Sequence, residues 1–117
     1  MKRGTIVLTP FPFTDLSGAK VRPAVVISRT DRPGDDVILA FISSVLPSRL
    51  LATDLSVDPS HPDFRETGLK VASIIKCDKL VTVQRRMILG ELGELSSTLL
   101  QDLDQRLRYA LNLQPSS

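Results

Sequence analysis

The chain reads Lys-Val-Arg-Pro-Ala-Val-Val-Ile-Ser from Lys20 to Ser28, which places an Arg-Pro pair directly before a run of branched apolar residues. Proline fixes φ and lacks an N–H donor, so a sheet tolerates it at the start of a strand and not at the centre. Pro23 therefore predicts a strand start. Arg22 would then lie where a loop joins a rigid sheet, a position that holds a permanent cation in a fixed direction.

The size and composition of the chain fit one globular domain, predicted over residues 1–117. Apolar residues make up 42% of the chain and aromatic residues 4%, which predicts a core of Val, Ile and Leu. The N-terminus runs straight into strand-like sequence, and no apolar run approaches the ~20 residues of a membrane span. The single cysteine, Cys77, cannot form an internal disulfide. Together these features predict a cytoplasmic protein.

Positive charge is concentrated in one segment of the chain. The net charge is only +2, but residues 65–86 hold six Lys or Arg against two Asp or Glu. Residues 1–64 are balanced at seven of each, and residues 87–117 carry a net charge of −2. A local basic excess attracts phosphate groups even when the total charge is small, although a solvated strand face is the alternative interpretation.

The hydrophobic pattern predicts a β-rich fold that ends in one helix. Strand-like segments are predicted at 5–8, 24–28, 37–43, 53–57, 71–75 and 80–83, the last with a possible continuation through 87–89. Residues 53–57 alternate, with Leu55 and Val57 on one side and polar residues on the other, and residues 90–93 are interpreted as a turn.

The C-terminal segment has the spacing of a helix. Leucines recur mostly every three or four residues from Leu95 to Leu113. Ser96, Ser97 and Thr98 are candidate N-caps, and Thr98 with Gln101 matches a capping box. Short connections without β-α-β spacing favour a small antiparallel β-barrel covered by this helix.

The side chains present exclude several reaction classes. His61 is the sole histidine, so one chain cannot build a two-histidine ribonuclease site, and an exposed loop residue is the favoured interpretation. The sequence has no His-x-His, no Cys-x-x-Cys, no clustered carboxylates and no glycine-rich phosphate loop. The sequence motifs therefore predict neither a metal nor another cofactor.

A set of cations, hydroxyls and one acid remains, and all of them stand at predicted strand ends. Arg22 ends the first loop, Ser43 and Ser44 end the third strand, and Lys76 with Asp78 follows a later one. Such a set suits RNA cleavage, because RNA supplies its own nucleophile in the 2′-hydroxyl. A fixed guanidinium and a hydroxyl donor can stabilise the charge that develops on the phosphoryl group.

The order of these motifs resembles that of the MazF/PemK toxins of type II toxin–antitoxin systems. The resemblance spans nearly the whole chain and rests on Arg3-Gly4, Pro10–Asp15, Arg22–Val26, Ile42–Ser44, Gly68-Leu69 and Lys76–Asp78. It implies an SH3-like barrel, a homodimer and an endoribonuclease that cuts single-stranded RNA at a short sequence. It also implies a cognate antitoxin of the MazE/PemI kind with an acidic C-terminal tail.

The resemblance also assigns roles to individual residues. It implies that Arg22 and Ser43 are catalytic, with Lys76 stabilising charge and Asp78 acting as an acid or base. The residues predicted to bind RNA are Lys20, Ser44, Lys70 and Lys79, and loops 10–20 and 44–52 are expected to wall the site.

The sequence departs from the family pattern at three points. Thr5 stands where an acidic residue commonly follows the glycine, and the first loop lacks a histidine. Lys76 stands where an arginine is often found, and lysine keeps the charge but loses the two-pronged donor geometry.

Two other functions are compatible with the same fold. A CcdB-like toxin would bind DNA gyrase without cutting nucleic acid, but residues 111–117 offer no aromatic anchor for that contact. A non-catalytic SH3-like module would bind RNA or protein without strand scission.

Overall fold

The computed structural model describes residues 1–11, 20–31 and 33–114. Residues 12–19, the greater part of the predicted loop 10–20, lie outside the described residues. The strands are β1 (Thr5–Phe11), β2 (Lys20–Val26), β3 (Asp36–Ser43), β4 (Asp54–Val57), β5 (Ser73–Gln84) and β6 (Gly90–Glu94). Short 3-10 helices span Arg65–Thr67 and Arg85–Met87, and the helix α1 spans Ser97–Leu111.

The six strands form one antiparallel sheet in the order β4-β5-β3-β2-β1-β6. The sheet curves into a half-barrel, with α1 as the C-terminal helix. This arrangement confirms the mainly β fold with a C-terminal helix that the sequence predicts. Within the described part of the chain, no helix is long and apolar enough to cross a membrane.

Alternation along the strands gives the sheet two apolar faces. On the helix face, Ile6 lies opposite Val25, and both belong to a core that includes Leu99 and Leu103 of α1. On the other side, here called the far face, Val7 lies opposite Ala24 within a second buried cluster. Because successive side chains of a strand point to opposite faces, the register fixes which residues share a face.

Two predictions about the later strands are wrong. The segments predicted separately at 71–75 and 80–83 belong, from residue 73 onward, to one strand, β5, which is twelve residues long. Residues 90–93, interpreted as a turn, belong to β6, which pairs with β1. Both errors arise because pairing with neighbouring strands overrides a weak local pattern.

The helix begins and ends at identifiable caps. The Ser96 hydroxyl accepts a hydrogen bond from the Leu99 N–H (3.2 Å), so Ser96 is the N-cap among the three predicted candidates, whereas the capping box of Thr98 and Gln101 is wrong. Asn112 ends the helix in the left-handed region at φ 56°. Leu99, Leu103 and Leu107 are buried, which confirms the leucine face.

Two glycines allow the first 3-10 helix to touch the backbone of β6. Gly68 ends that helix with φ 72°, and a Cβ at this position would overlap the Leu92 carbonyl. A Cβ on Gly93 would overlap the Glu66 carbonyl and lie 2.6 Å from the Thr67 carbonyl carbon. These close approaches leave no room for a side chain.

The substitution Gly93→Ala is therefore expected to destabilise the fold by about 1–3 kcal/mol, because the two backbones must separate to admit a methyl group. Urea unfolding followed by circular dichroism measures the change. Gly90→Ala is the matched control on the same strand, since its added Cβ meets nothing within 4 Å. Equal stability of the two variants would contradict the close contact.

Candidate functional site

The strand register places Arg22, Ser43 and Lys76 on the same face of the sheet. Ala24 lies opposite Phe41, and Phe41 lies opposite Lys76. Arg22 and Ser43 are each two residues from members of that row, along β2 and β3, so they share its face. The paired part of β2 and β3 ends at Ala24 and Phe41, and continuing the same register by two residues brings Arg22 opposite Ser43. The common face is the far face, opposite α1.

Arg22 is half-buried and held by the sheet. It is the third residue of β2 and lies opposite Thr9 of β1, so the prediction that the strand starts at Pro23 is wrong. Among the described residues, no carboxylate forms an ion pair with its guanidinium. An arginine with no such partner can direct its charge and donors at an external anion.

Arg22 also contributes to a cavity of about 320 Å³. Ser44 and Lys70 line the same cavity, and Leu8, Ile42 and Leu69 give it an apolar wall. The structure therefore brings Arg22 together with two of the residues predicted to bind RNA. The other predicted site residues are absent from its lining: Lys20, Ser43, Lys76, Asp78 and Lys79.

Ser43 is the last residue of β3, and its hydroxyl oxygen already accepts one hydrogen bond. Its Oγ accepts a hydrogen bond from the Val45 N–H (3.1 Å), which orients the side chain. Because this contact uses an oxygen lone pair, the hydroxyl proton can still be donated to a phosphoryl oxygen.

Lys76 is held against a buried carboxylate that the sequence analysis did not single out. Its Nζ lies 3.7 Å from Oδ1 of Asp54, and the two side chains are 19% and 1% exposed. Oδ2 of Asp54 accepts a hydrogen bond from the Leu51 N–H (2.9 Å). The sequence places Asp54 on the polar side of a short strand. The alternating pattern did not predict that Asp54 is buried, because the residue in contact with its carboxylate, Leu51, precedes the strand.

A bulge in β5 separates Asp78 and Lys79 from the paired rows. Phe41 pairs with Lys76 and Ala40 with Leu80, so residues 77–79 have no counterpart on β3. Asp78 and Lys79 are exposed, whereas Cys77 is buried and its N–H donates to the Thr53 carbonyl (3.0 Å). Bulges of this kind re-aim side chains at the edge of a site. The register alone therefore does not bring Asp78 onto the row of Lys76.

The remaining predicted residues lie apart or serve local structure. Lys20 is exposed at the start of β2. His61 is half-buried rather than exposed, and its Nδ1 accepts a hydrogen bond from the Asp63 N–H (3.0 Å), so the imidazole orders its own turn. Among residues 1–11, 20–31 and 33–114, no group of three or more His, Cys, Asp or Glu side chains could hold a metal ion.

Burial raises the pKa of the Cys77 thiol to about 11, with the Arg106 charge opposing the shift and the charges of Asp78 and Asp54 adding to it. The thiol is therefore protonated at neutral pH, and a protonated thiol is a poor nucleophile. Cys77 is a core residue of the helix face.

Comparisons with known proteins agree with this fold. A sequence model of the PemK-like, MazF-like toxins of type II toxin–antitoxin systems matches residues 2–111. Sequence comparison with curated proteins finds no match. Among solved structures, the chain is similar to a mycobacterial endoribonuclease in complex with its cognate antitoxin, with TM-score 0.76, 18% identity and 99% of both chains covered.

Two further solved structures are similar to this chain in fold. Toxin MazF-mt6 of Mycobacterium tuberculosis has TM-score 0.73 and 21% identity, over 94% of this chain and 98% of that one. MazF from Deinococcus radiodurans has TM-score 0.67 and 18% identity, over 96% of each chain. At these identities the likeness is one of fold.

The raised thiol pKa leads to a prediction about alkaline stability. The unfolded thiol ionises near its ordinary pKa of 9.0 and the folded one near 11, so between these values the unfolded state holds fewer protons. The free energy of unfolding should then fall as pH rises from 9 to 11, by about 2–3 kcal/mol from this group. Urea unfolding of the wild type and of Cys77→Ala at several pH values measures it. The difference between the two proteins should be constant from pH 7 to 8 and shrink above 9, and parallel curves throughout would contradict it.

Proposed function

We propose that this chain, which belongs to the PemK-like, MazF-like toxins of type II toxin–antitoxin systems, cleaves single-stranded mRNA as a sequence-specific endoribonuclease. The observation that carries the proposal is the placement of Arg22, without a carboxylate partner among the described residues, on the face that also bears Ser43 and Lys76. The similar solved structures support the same activity, since they include an endoribonuclease and a MazF toxin.

The proposed reaction is an attack of the 2′-hydroxyl oxygen on the adjacent phosphorus. The bond from phosphorus to the 5′-oxygen breaks, which leaves a 2′,3′-cyclic phosphate and a free 5′-hydroxyl. One proton leaves the 2′-oxygen and one reaches the 5′-oxygen, so the step is balanced without water or a metal ion. The difficulty lies in the extra negative charge on the phosphoryl oxygens, and fixed donors and cations stabilise that charge.

Each catalytic residue has a role in this step. The Arg22 guanidinium donates paired hydrogen bonds to the phosphoryl oxygens, and the Ser43 hydroxyl donates one more. Lys76 adds a positive charge from the neighbouring row of the same face. Asp78, exposed on the bulge two residues from Lys76, is the carboxylate proposed to transfer a proton.

RNA binding is proposed to extend from this centre into the cavity beside Arg22. Ser44 and Lys70 line that cavity, and its apolar wall suits the face of an unstacked base. Lys20 and Lys79 are exposed cations that would contact the RNA backbone. The proposed partners are a second copy of the chain and a MazE/PemI-like antitoxin with an acidic tail. Because the proposed substrate is mRNA, the cytoplasm is the proposed location of the protein.

Replacing Arg22 by alanine is expected to lower the rate of RNA cleavage by about 100- to 1000-fold, because the transition state loses its paired donors. A fluorescently labelled single-stranded RNA measures the rate. Arg29→Ala is the matched control, since Arg29 is an exposed arginine of the same region that pairs with Asp31 (2.9 Å). Wild-type cleavage by Arg22→Ala would refute the proposed site.

A substrate with a single 2′-deoxy nucleotide at the cut site is expected to resist cleavage, because the nucleophile is then missing. The uncut product is measured by gel, and mass spectrometry of the normal products should find a 2′,3′-cyclic phosphate. The reaction is expected to proceed unchanged in EDTA. Activity that EDTA removes and magnesium restores would contradict the proposed chemistry, and RNA binding without scission would favour the non-catalytic alternative.

A further inference from the structure

We propose that Asp54 is a positioning residue for Lys76, holding the lysine ammonium on the far face while it anchors the segment that follows Ser43. This inference rests on the proposed endoribonuclease function. It adds a residue to the site that acts through Lys76 and does not itself touch the RNA.

The contacts of Asp54 divide its carboxylate between two tasks. One oxygen, Oδ2, accepts the Leu51 N–H at 2.9 Å. The other, Oδ1, lies 3.7 Å from Nζ of Lys76, is itself buried, and accepts no hydrogen bond from the described residues. Burying a carboxylate costs free energy unless it has a partner of opposite charge, and Lys76 is the ion-pair partner that the described residues supply to the 1%-exposed Asp54 side chain.

Strand pairing keeps the two side chains together. Asp54 lies opposite Lys76 across β4 and β5, on the row that continues to Phe41 of β3. A lysine has a flexible stem and a point charge, so by itself it does not fix a direction as an arginine does. The buried carboxylate beside it supplies that direction. This compensates in part for the lysine that stands at the family's arginine position.

Asp54 also closes the segment that begins at the catalytic serine. Residues 44–53 join Ser43 to Asp54, and their last three residues are all tied down. Leu51 donates to Asp54, the Ala52 carbonyl accepts from Arg106 of α1 (3.2 Å), and the Thr53 carbonyl accepts from the Cys77 N–H (3.0 Å). One carboxylate thus links the position of the Lys76 charge to the chain that leaves Ser43.

The variant Asp54→Asn separates the two tasks. Its amide oxygen can still accept the Leu51 N–H, whereas the negative charge that faces Lys76 is lost. We expect kcat on single-stranded RNA to fall about tenfold with little change in KM, which corresponds to a coupling within the range found for residues in contact. The control is Asp104→Asn. Asp104 is on α1, and its Oδ1 lies 2.7 Å from a guanidinium nitrogen of Arg3, so the variant removes a carboxylate from a different ion pair and should leave kcat unchanged.

A double-mutant cycle with Lys76→Met decides whether Asp54 acts through the lysine. The loss caused by Asp54→Asn should disappear in the Lys76→Met background, whereas a general structural defect would lower kcat in both backgrounds. An equal loss in both backgrounds, or wild-type kcat in Asp54→Asn, would overturn the inference while leaving the proposed function intact. A wild-type protein that does not cleave RNA would instead refute the proposed function and this inference with it.

A readout that does not need activity accompanies the cycle. Brief acetylation followed by peptide mass spectrometry compares labelling of Lys76 with that of the exposed Lys79 on the same strand. Loss of the carboxylate partner should raise labelling of Lys76 several-fold relative to Lys79. An unchanged ratio in a folded Asp54→Asn protein would mean that the carboxylate does not hold the lysine.

Discussion

The antiparallel register of β2, β3 and β5 is the constraint on which the candidate site depends. It sets Ala24, Phe41 and Lys76 in one row and places Arg22 and Ser43 on the same face. A shift of one residue in either pairing would move a whole strand's side chains to the opposite face. The buried apolar residues on both faces oppose such a shift, because Val25 and Ala40 pack under α1 while Val26 and Leu39 pack on the far side. Core packing and the geometry of the proposed catalytic groups are therefore fixed by the same hydrogen bonds.

Local sequence patterns were enough to predict the elements that carry a strong local signal. The Arg-Pro pair followed by branched residues identified β2, and the leucine spacing identified α1. The pattern failed at residues 76–80, where polar residues interrupt β5, and at β6, where two glycines lower the intrinsic preference for a strand. In both places the strand exists because a neighbour pairs with it, and single-sequence patterns contain no information on that neighbour.

The candidate site likewise has some features that the sequence predicts and others that depend on pairing between strands. The sequence could nominate Arg22, Ser43 and Lys76 by residue type and by resemblance, but it could not show that they share a face, since that depends on pairing between distant segments. It overlooked Asp54, because a polar residue in an alternating strand predicts a solvated position. Here the Asp54 side chain is 1% exposed, and its Oδ2 accepts a hydrogen bond from the Leu51 N–H, three residues earlier in the chain. The bulge at residues 77–79 likewise depends on β3 and has no local signature.

The pairing of β1 with β6 has a consequence for the order in which the protein is made. Thr5 lies opposite Glu94, so β1 is made before the other strands of this sheet, whereas β6, one of its two neighbours, is made after all of them. Lys76 reaches the sheet only after β5 is complete, and the leucines of α1 cover the helix face later still. Contacts between residues so far apart in sequence form slowly, because closing the long intervening chain costs conformational entropy. A ribosome that has not yet completed β5 therefore carries an unfinished sheet, and the face that unites Arg22, Ser43 and Lys76 forms only after β5 has left the ribosome.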